Sequence, residues 1–320
     1  MRIFEHNFSD NKEKGRRHTV VCQVLLTQLA GKFSKKTCAA KILNRFLVKI
    51  NHQIKKISND RLLQLSFVYC VGEFMTEIYR IAEKNIEITS IHSGVHNYCK
   101  QYKATGTPDF KVETTRADID FEREKSAREN ILEGIAVRNY SDSYLEELAV
   151  YRKIALKMLD YDTFLFHGSV VSVDGEAYLF TAKSGTGKST HTRLWRELLE
   201  DKAVMVNDDK PLIKVTNDSV TVFGTPYNGK HRLGNNISVP LKAICILERA
   251  KENTIHSVTG KEAYPMLLQQ VYRPNDSEKL LKTLSLIDLM TKNIKLYKLG
   301  CNMDISAAEV AYNGMKNSNC

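Results

Sequence analysis

The 320-residue sequence contains no Cys-x-x-Cys pair. Its seven cysteines, Cys22, Cys38, Cys70, Cys99, Cys245, Cys301 and Cys320, are scattered without the spacing of metal ligands. With no secretory signal visible in the chain, the expectation is a cytoplasmic protein with reduced thiols. The most apolar run, residues 62–71, is too short to span a membrane and carries Gln64 and Ser66. No segment repeats and none is of low complexity. Neither a set of stacking aromatics nor a helix-turn-helix pattern is present, which argues against nucleic-acid recognition.

What is present in excess is positive charge, a net +10, and its location matters more than its size. Residues 1–80 hold 15 Lys and Arg against 6 Asp and Glu, whereas the remaining 240 hold 32 against 31. Basicity thus belongs to the N-terminal quarter. Residues 1–20 read as polar and frayed, while 20–29 and 38–57 carry helical spacing. In the latter, Ile42, Phe46, Ile50 and Ile54 form one apolar stripe among lysines and arginines. Such a helix suits a membrane surface, a nucleic acid or packing on the rest of the chain. From Met75 the pattern resembles the start of a domain. Residues 1–74 are therefore read as an extension, either accessory to the chemistry or the product of an over-extended gene start, and 75–320 as the working domain.

Beyond Met75, strand and helix signals alternate. After a short polar lead, strands are expected at 86–91, 109–114, 164–173 and 176–181, the last two joined through Asp174-Gly175, a two-residue hairpin signal. Residues 120–135 are charged and read as a connection, and 143–159 as a helix. Further strands are expected at 203–206, 212–215, 220–223, 241–248 and 294–299. Helices are expected at 261–271, 276–290 and 305–315. Hairpins mixed with helices argue for an α/β fold with a mixed sheet rather than a purely parallel one.

The most informative stretch is 178–195, YLFTAKSGTGKSTHTRLW, an apolar strand leading through a Gly-rich loop into a helix. Gly185 and Gly187, with Ser184 and Thr186, make a loop whose backbone N–H groups can approach a polyphosphate without a Cβ in the way. Lys188 has the reach for β- and γ-phosphates, and the Ser189 hydroxyl is suited to ligate Mg²⁺, with Thr190 following in the first helical turn. The helix directs the positive end of its dipole at the same anion. The blander reading is a Gly/Ser-rich turn. Ala182 replaces the first Gly of G-x-x-x-x-G-K-[ST] and sets the loop apart from ordinary GTPases and ATPases. Asn-Lys-x-Asp and Leu-Ser-Gly-Gly-Gln are both absent, which argues against those two classes again.

Twenty residues after Lys188, an apolar strand ends in Asn207-Asp208-Asp209-Lys210-Pro211. Carboxylates there can divide the work of metal ligation and of a base for an acceptor hydroxyl; an Asx turn before Pro211 is the structural alternative. His167 lies at the end of FLFHG, and residues 224–232, GTPYNGKHR, place Lys230, His231 and Arg232 on a loop with two glycines. That loop can close over phosphates, bind an anionic acceptor, or be a solvated connection.

Together these motifs resemble the C-terminal catalytic domain of HPr kinase/phosphorylase. More distantly they are similar to ATP-dependent phosphoenolpyruvate carboxykinase, with which that domain shares a mixed-sheet P-loop fold. SGTGKSTHTRLW, NDDKP and GTPYNGK are closest to HPr kinase-like proteins, a group that includes kinases found beside peptide-modification genes. The resemblance covers about residues 75–315. It implies ATP and Mg²⁺ as cofactors, with Lys188 and Ser189 on phosphate and metal. Asp208 and Asp209 would serve as metal ligand and base, with His167 near the γ-phosphate and Lys230 and Arg232 neutralising the transferred group. A Ser/Thr-type hydroxyl on a peptide, protein or small molecule is the implied acceptor, and a homo-oligomer the implied assembly. The separate N-terminal domain of HPr kinases is not visible in residues 1–74, nor is their grip on the protein substrate, so HPr itself is not the expected acceptor. Two other readings compete: a decarboxylating carboxykinase, against which the short chain and the missing arginine and metal-ligand set speak, and a nucleotide-binding regulator without turnover, which would not need the acid pair.

Overall fold

A computed structural model of the chain describes residues 74–132 and 134–316. The frayed start, the two helical stretches with the apolar stripe of the second, and the apolar run 62–71 lie outside the described residues. The described part belongs to one unit of the chain, Phe74–Cys320.

Residues 75–81, expected as a polar lead, form strand β1 (Met75–Ile81), because alternation buries Tyr79 and Ile81 on one face. It pairs antiparallel with β2 (Lys84–Ser90). The two-residue turn uses Ala82 and Glu83, at φ of 47° and 67°, the left-handed pair that matches strand twist in a tight hairpin. A short helix α1 (Ser93–Tyr98) leads to β3 (Phe110–Glu113), which joins β2 in parallel. The charged segment expected as a connection is mostly helix α2 (Arg116–Leu132). It shows no continuous apolar stripe; charge pairs hold it instead, with Arg152 of the next helix on Glu122 and Asp118, and Arg128 on Glu124 within α2. Helix α3 (Asp142–Met158) follows, capped by Ser141 accepting from the Tyr144 N–H.

The larger sheet begins with β4 (Thr163–Leu165), β5 (Ser169–Val173) and β6 (Glu176–Thr181). It continues after helix α4 (Lys188–Leu199) with β7 (Ala203–Asn207), β8 (Leu212–Val215), β9 (Val220–Phe223), β10 (Ser238–Arg249) and β11 (Thr254–Ser257). Helices α5 (Gly260–Gln270) and α6 (Ser277–Asn293), strand β12 (Lys295–Cys301) and helix α7 (Ser306–Lys316) complete the described part. Strand order is β4-β8-β9-β10-β6-β5-β7, with β12 also on β10 and β11 on β12. Strands β6, β10 and β12 are mutually parallel, while hairpins surround them, so the sheet is mixed.

One strand was expected over 164–173, but the chain breaks it at Phe166–Gly168 to change partners. Phe166 N–H donates to Pro211 O, His167 N–H to Gln270 O and Gly168 N–H to Asp209 O. Gly168 is required there by close approach, since a Cβ would lie 3.0 Å from Leu179 Cδ2 and 3.1 Å from the Phe180 carbonyl.

Strand β10 is apolar throughout its middle because both faces are covered. Ile244 and Ile246 pack with α5 and α6, whereas Ala243, Cys245 and Leu247 pack with α4 and α7. A third cluster joins the three-stranded sheet and α3 to Leu212, Phe223 and Tyr227 of the larger one. Its polar anchor is Glu146, fully buried, which accepts from the N–H groups of Ile91 and His92 and from the Thr114 hydroxyl. Glu146→Ala leaves those donors without an acceptor and should lower unfolding free energy by about 3 kcal/mol or more, with Glu146→Gln, which keeps one acceptor, costing less. Urea unfolding measures both; a loss under about 1 kcal/mol for the alanine variant would contradict the anchoring role.

Candidate active site

Strand direction assembles the site. Strand β5 runs antiparallel to both β6 and β7, so β6 and β7 point the same way and their C-terminal ends emerge together. The N-terminal end of β5 lies at that same edge: Ser169 is opposite Phe180, and Val170 opposite Asn207. The Gly-rich loop after β6, the acid pair after β7 and His167 before β5 are therefore brought to one place. Ligands of α/β sheets commonly sit at such C-terminal strand ends.

In the loop, Gly185 and Gly187 hold φ of 75° and 122°, values that disfavour any side chain. Ala182 does not need glycine: it has no positive φ and its methyl is buried in the core under α4. Lys183, Ser184 and Gly185 are exposed, Thr186 and Thr190 partly so, and Ser189 is exposed on the first turn of α4. The Thr186 N–H donates to the Lys183 carbonyl at 3.2 Å. Lys188 Nζ lies 3.4 Å from the Ala182 carbonyl. Burial lowers its pKa, against the opposing pull of Asp209 and Asp208, so both carboxylates lie within electrostatic reach of the ammonium.

The acid pair is held by its neighbours. Asn207 Oδ1 accepts from the N–H groups of Asp209 and Lys210, so an Asx turn before Pro211 exists, but Asn207 makes it and leaves both carboxylates available. Asp208 is buried, and Oδ1 accepts from Ser169 Oγ at 2.6 Å; Ser169 in turn meets Thr192 Oγ1 of α4 at 2.9 Å. His167 Nε2 lies 3.4 Å from Asp209 Oδ1. Burial by itself would raise the Asp209 pKa; the His167 contact and the charges of Lys210 and Lys188 outweigh it and hold it below the usual carboxylate value.

The loop over 224–235 covers the pair through Gly229, where a Cβ would lie 3.5 Å from the Asp208 carbonyl and 3.5 Å from Asp209 Cβ. Lys230 follows, exposed and without a hydrogen bond or ion pair among the described residues. Arg232 does not join the acid pair: its guanidinium lies over the Tyr98 ring at 4.5 Å.

Mg²⁺ prefers hard oxygen ligands, one or two carboxylates with waters and phosphate oxygens. The adjacent Asp208 and Asp209 with the Ser189 hydroxyl match that donor chemistry. Among the described residues, no three His, Cys, Asp or Glu side chains form a metal-holding cluster, and no helix is long and apolar enough to cross a membrane.

Comparison with known proteins adds a family. The family model ScmC: SynChlorMet cassette protein ScmC matches residues 142–304, just over half of the 320. The chain belongs to the ScmC family. The matched span starts at the first residue of α3 and contains all the candidate residues above; β1, β2, β3 and α2 lie outside it. No curated protein matches the chain. Among solved structures, it is similar to the HPr(Ser) kinase/phosphatase from Coxiella burnetii at 10% identity, over 47% of this chain and 94% of that one, with a TM-score of 0.27. A superposition that loose carries no argument about fold or chemistry.

Two residues of this ScmC chain that shape the site, Ser169 and Arg249, escape the sequence motifs. Ser169, Thr192 and Asn207 support the acid pair from three elements; Thr192 sits in SGTGKSTHTRLW and Asn207 in NDDKP, Ser169 in neither. Arg249, at the end of β10, donates through Nη2 to the Gly185 carbonyl at 2.6 Å; the parallel pairing of β10 with β6 brings it there, which no local pattern encodes.

The Asp209 environment predicts a pH effect. Its folded pKa is below the unfolded value, so its contribution to stability is present above the ordinary carboxylate pKa, about 3.9, and drains away as pH falls below that through the folded pKa. The stability difference between the ScmC chain and its Asp209→Asn variant should therefore shrink as urea unfolding is repeated from about pH 7 to about pH 3. A difference constant with pH would contradict the arrangement.

Proposed function

We propose that the chain is an ATP-dependent phosphotransferase that passes the γ-phosphoryl group to a Ser/Thr-type hydroxyl. The observation that carries this reading is the convergence, on one edge of the sheet, of the Gly-rich loop opening α4, the acid pair after β7 and His167 before β5. In this reading the fold is a mixed-sheet P-loop fold of the HPr kinase and phosphoenolpyruvate carboxykinase type, residues 75–320 are its catalytic domain and 1–74 an accessory extension. The cytoplasm, where ATP is abundant and thiols stay reduced, is its proposed compartment.

The backbone N–H groups around Gly185 and Gly187, the α4 N-terminus and Lys188 bind the triphosphate. Mg²⁺, held by Ser189 and the Asp208 carboxylate, would supply charge neutralisation on the phosphate oxygens. Ser169 fixes one oxygen of Asp208, which suits a ligand that must not turn. Asp209, kept ionised and oriented by His167, accepts the proton of the acceptor hydroxyl. The hydroxyl oxygen bonds to the γ-phosphorus as the bond to the β,γ-bridging oxygen breaks, and the electron pair leaves with ADP. Lys230, exposed and unpaired among the described residues, is free to turn toward the transferred group.

Lys188→Ala should abolish ATP turnover while leaving the unfolding curve unchanged; ADP release at the original rate would refute the triphosphate site. Asp208→Asn combined with Asp209→Asn should keep nucleotide binding, measured by calorimetry, and lose transfer by about 10³-fold or more. Undiminished phosphorylation by the double variant would reduce the acid pair to a turn.

A further inference from the structure

Beyond the acid pair, the site continues into a wall that phosphotransfer leaves without a task. On α3, Tyr144, Glu147 and Tyr151 fall on one side by their spacing of three and four residues. Opposite, α1 brings up Tyr98. The two helices approach closely because Gly94, one turn before Tyr98, has no side chain: a Cβ there would lie 3.0 Å from Glu147 Oε1 and would collide with Ser143 Oγ. Tyr98 packs on Tyr227 at 5.1 Å between ring centres, and Tyr227 stacks on Tyr151 at 3.8 Å. The Tyr151 hydroxyl donates to the carbonyl of Lys210 at 2.5 Å, the residue after Asp209, which sets this wall beside the residue that would take the acceptor's proton.

Glu147 is the odd member. It is half-buried and makes no hydrogen bond or ion pair among the described residues. Burial pushes its pKa up, and the charge of Arg232 opposes that shift. The Arg232 guanidinium lies over Tyr98 without closing a salt bridge to Glu147. A desolvated carboxylate without a partner, next to tyrosine faces, is the chemistry that recognises an organic cation, and Arg232 shows that a guanidinium fits against Tyr98. An anionic acceptor would meet like charge at both Glu147 and Asp209.

We infer that Tyr98, Tyr144 and Glu147 form the acceptor subsite, and that the acceptor carries an ammonium or guanidinium group close to the hydroxyl it presents. This rests on the phosphotransfer reading above. The acceptor's cation replaces Arg232 on Tyr98, which releases Arg232 from the wall while Asp209 faces the hydroxyl. Both a small amino alcohol and a basic peptide satisfy this chemistry.

Two matched pairs of probes test it with labelled ATP. L-serine amide is compared with N-acetyl-L-serine amide, which has the same hydroxyl and no charge. A capped Lys-Ser-Lys peptide is compared with capped Glu-Ser-Glu. The cationic member of one pair should show kcat/KM about tenfold or more above its counterpart, and the pair that responds separates the small amine from the peptide. Glu147→Gln should bring the cationic probe down to its counterpart's level, mainly through KM, and Glu147→Lys should reverse the preference; thermal unfolding checks that both variants fold. Equal use within both pairs, transfer to neither while ATP is hydrolysed, or a preference that survives Glu147→Gln overturns the subsite and leaves phosphotransfer standing. A chain that neither hydrolyses ATP nor transfers its phosphate to any of the four probes removes the phosphotransfer reading and the subsite with it.

Discussion

Strand β5 is paired on both sides with strands that run against it, and the site depends on that pairing. Because β6 and β7 share a direction, a loop rich in N–H donors and a pair of carboxylates are delivered to one edge although twenty residues separate Lys188 from Asp208. The break at Phe166–Gly168 serves the same end. It lets the chain leave β8 for β6 and β7, and it places His167 against Asp209 while its own N–H is satisfied by Gln270. Close-packed glycine at 168 is what makes the turn-in possible.

A buried polar network then fixes the carboxylates. Ser169 links Asp208 to Thr192 on α4, so the acid pair and the helix that opens the Gly-rich loop are joined by hydroxyls rather than by distance alone. Asn207 ties the turn after β7 and reaches Thr225, and Thr225 donates to the Lys210 carbonyl. Buried networks of this kind hold geometry when every member is satisfied. With Arg249 on the Gly185 carbonyl, the loop is tied from β10 as well.

Much of this is legible in the sequence where periodicity or turn chemistry is local. The Asp174-Gly175 hairpin and the apolar run of β10 both follow from pattern alone. Helix α2 does not, because its face is charged and its support comes from Arg152 of another helix. The break inside 164–173 is equally silent, since both halves are apolar and only the change of partner divides them. Within the site, residues in dense motifs stand out, whereas Ser169 and Arg249 act through strand pairing. The wall of Tyr98, Tyr144 and Glu147 comes from two helices that no motif connects, and it turns Arg232 away from the acid pair.

The claim that the Gly-rich loop and the acid pair are two walls of a single triphosphate site is tested most directly by amide hydrogen exchange with and without MgATP. The account predicts that residues 184–190 and 207–210 gain protection together, because one ligand spans both. Protection confined to one segment, or absent from both while ATP is bound, would contradict it.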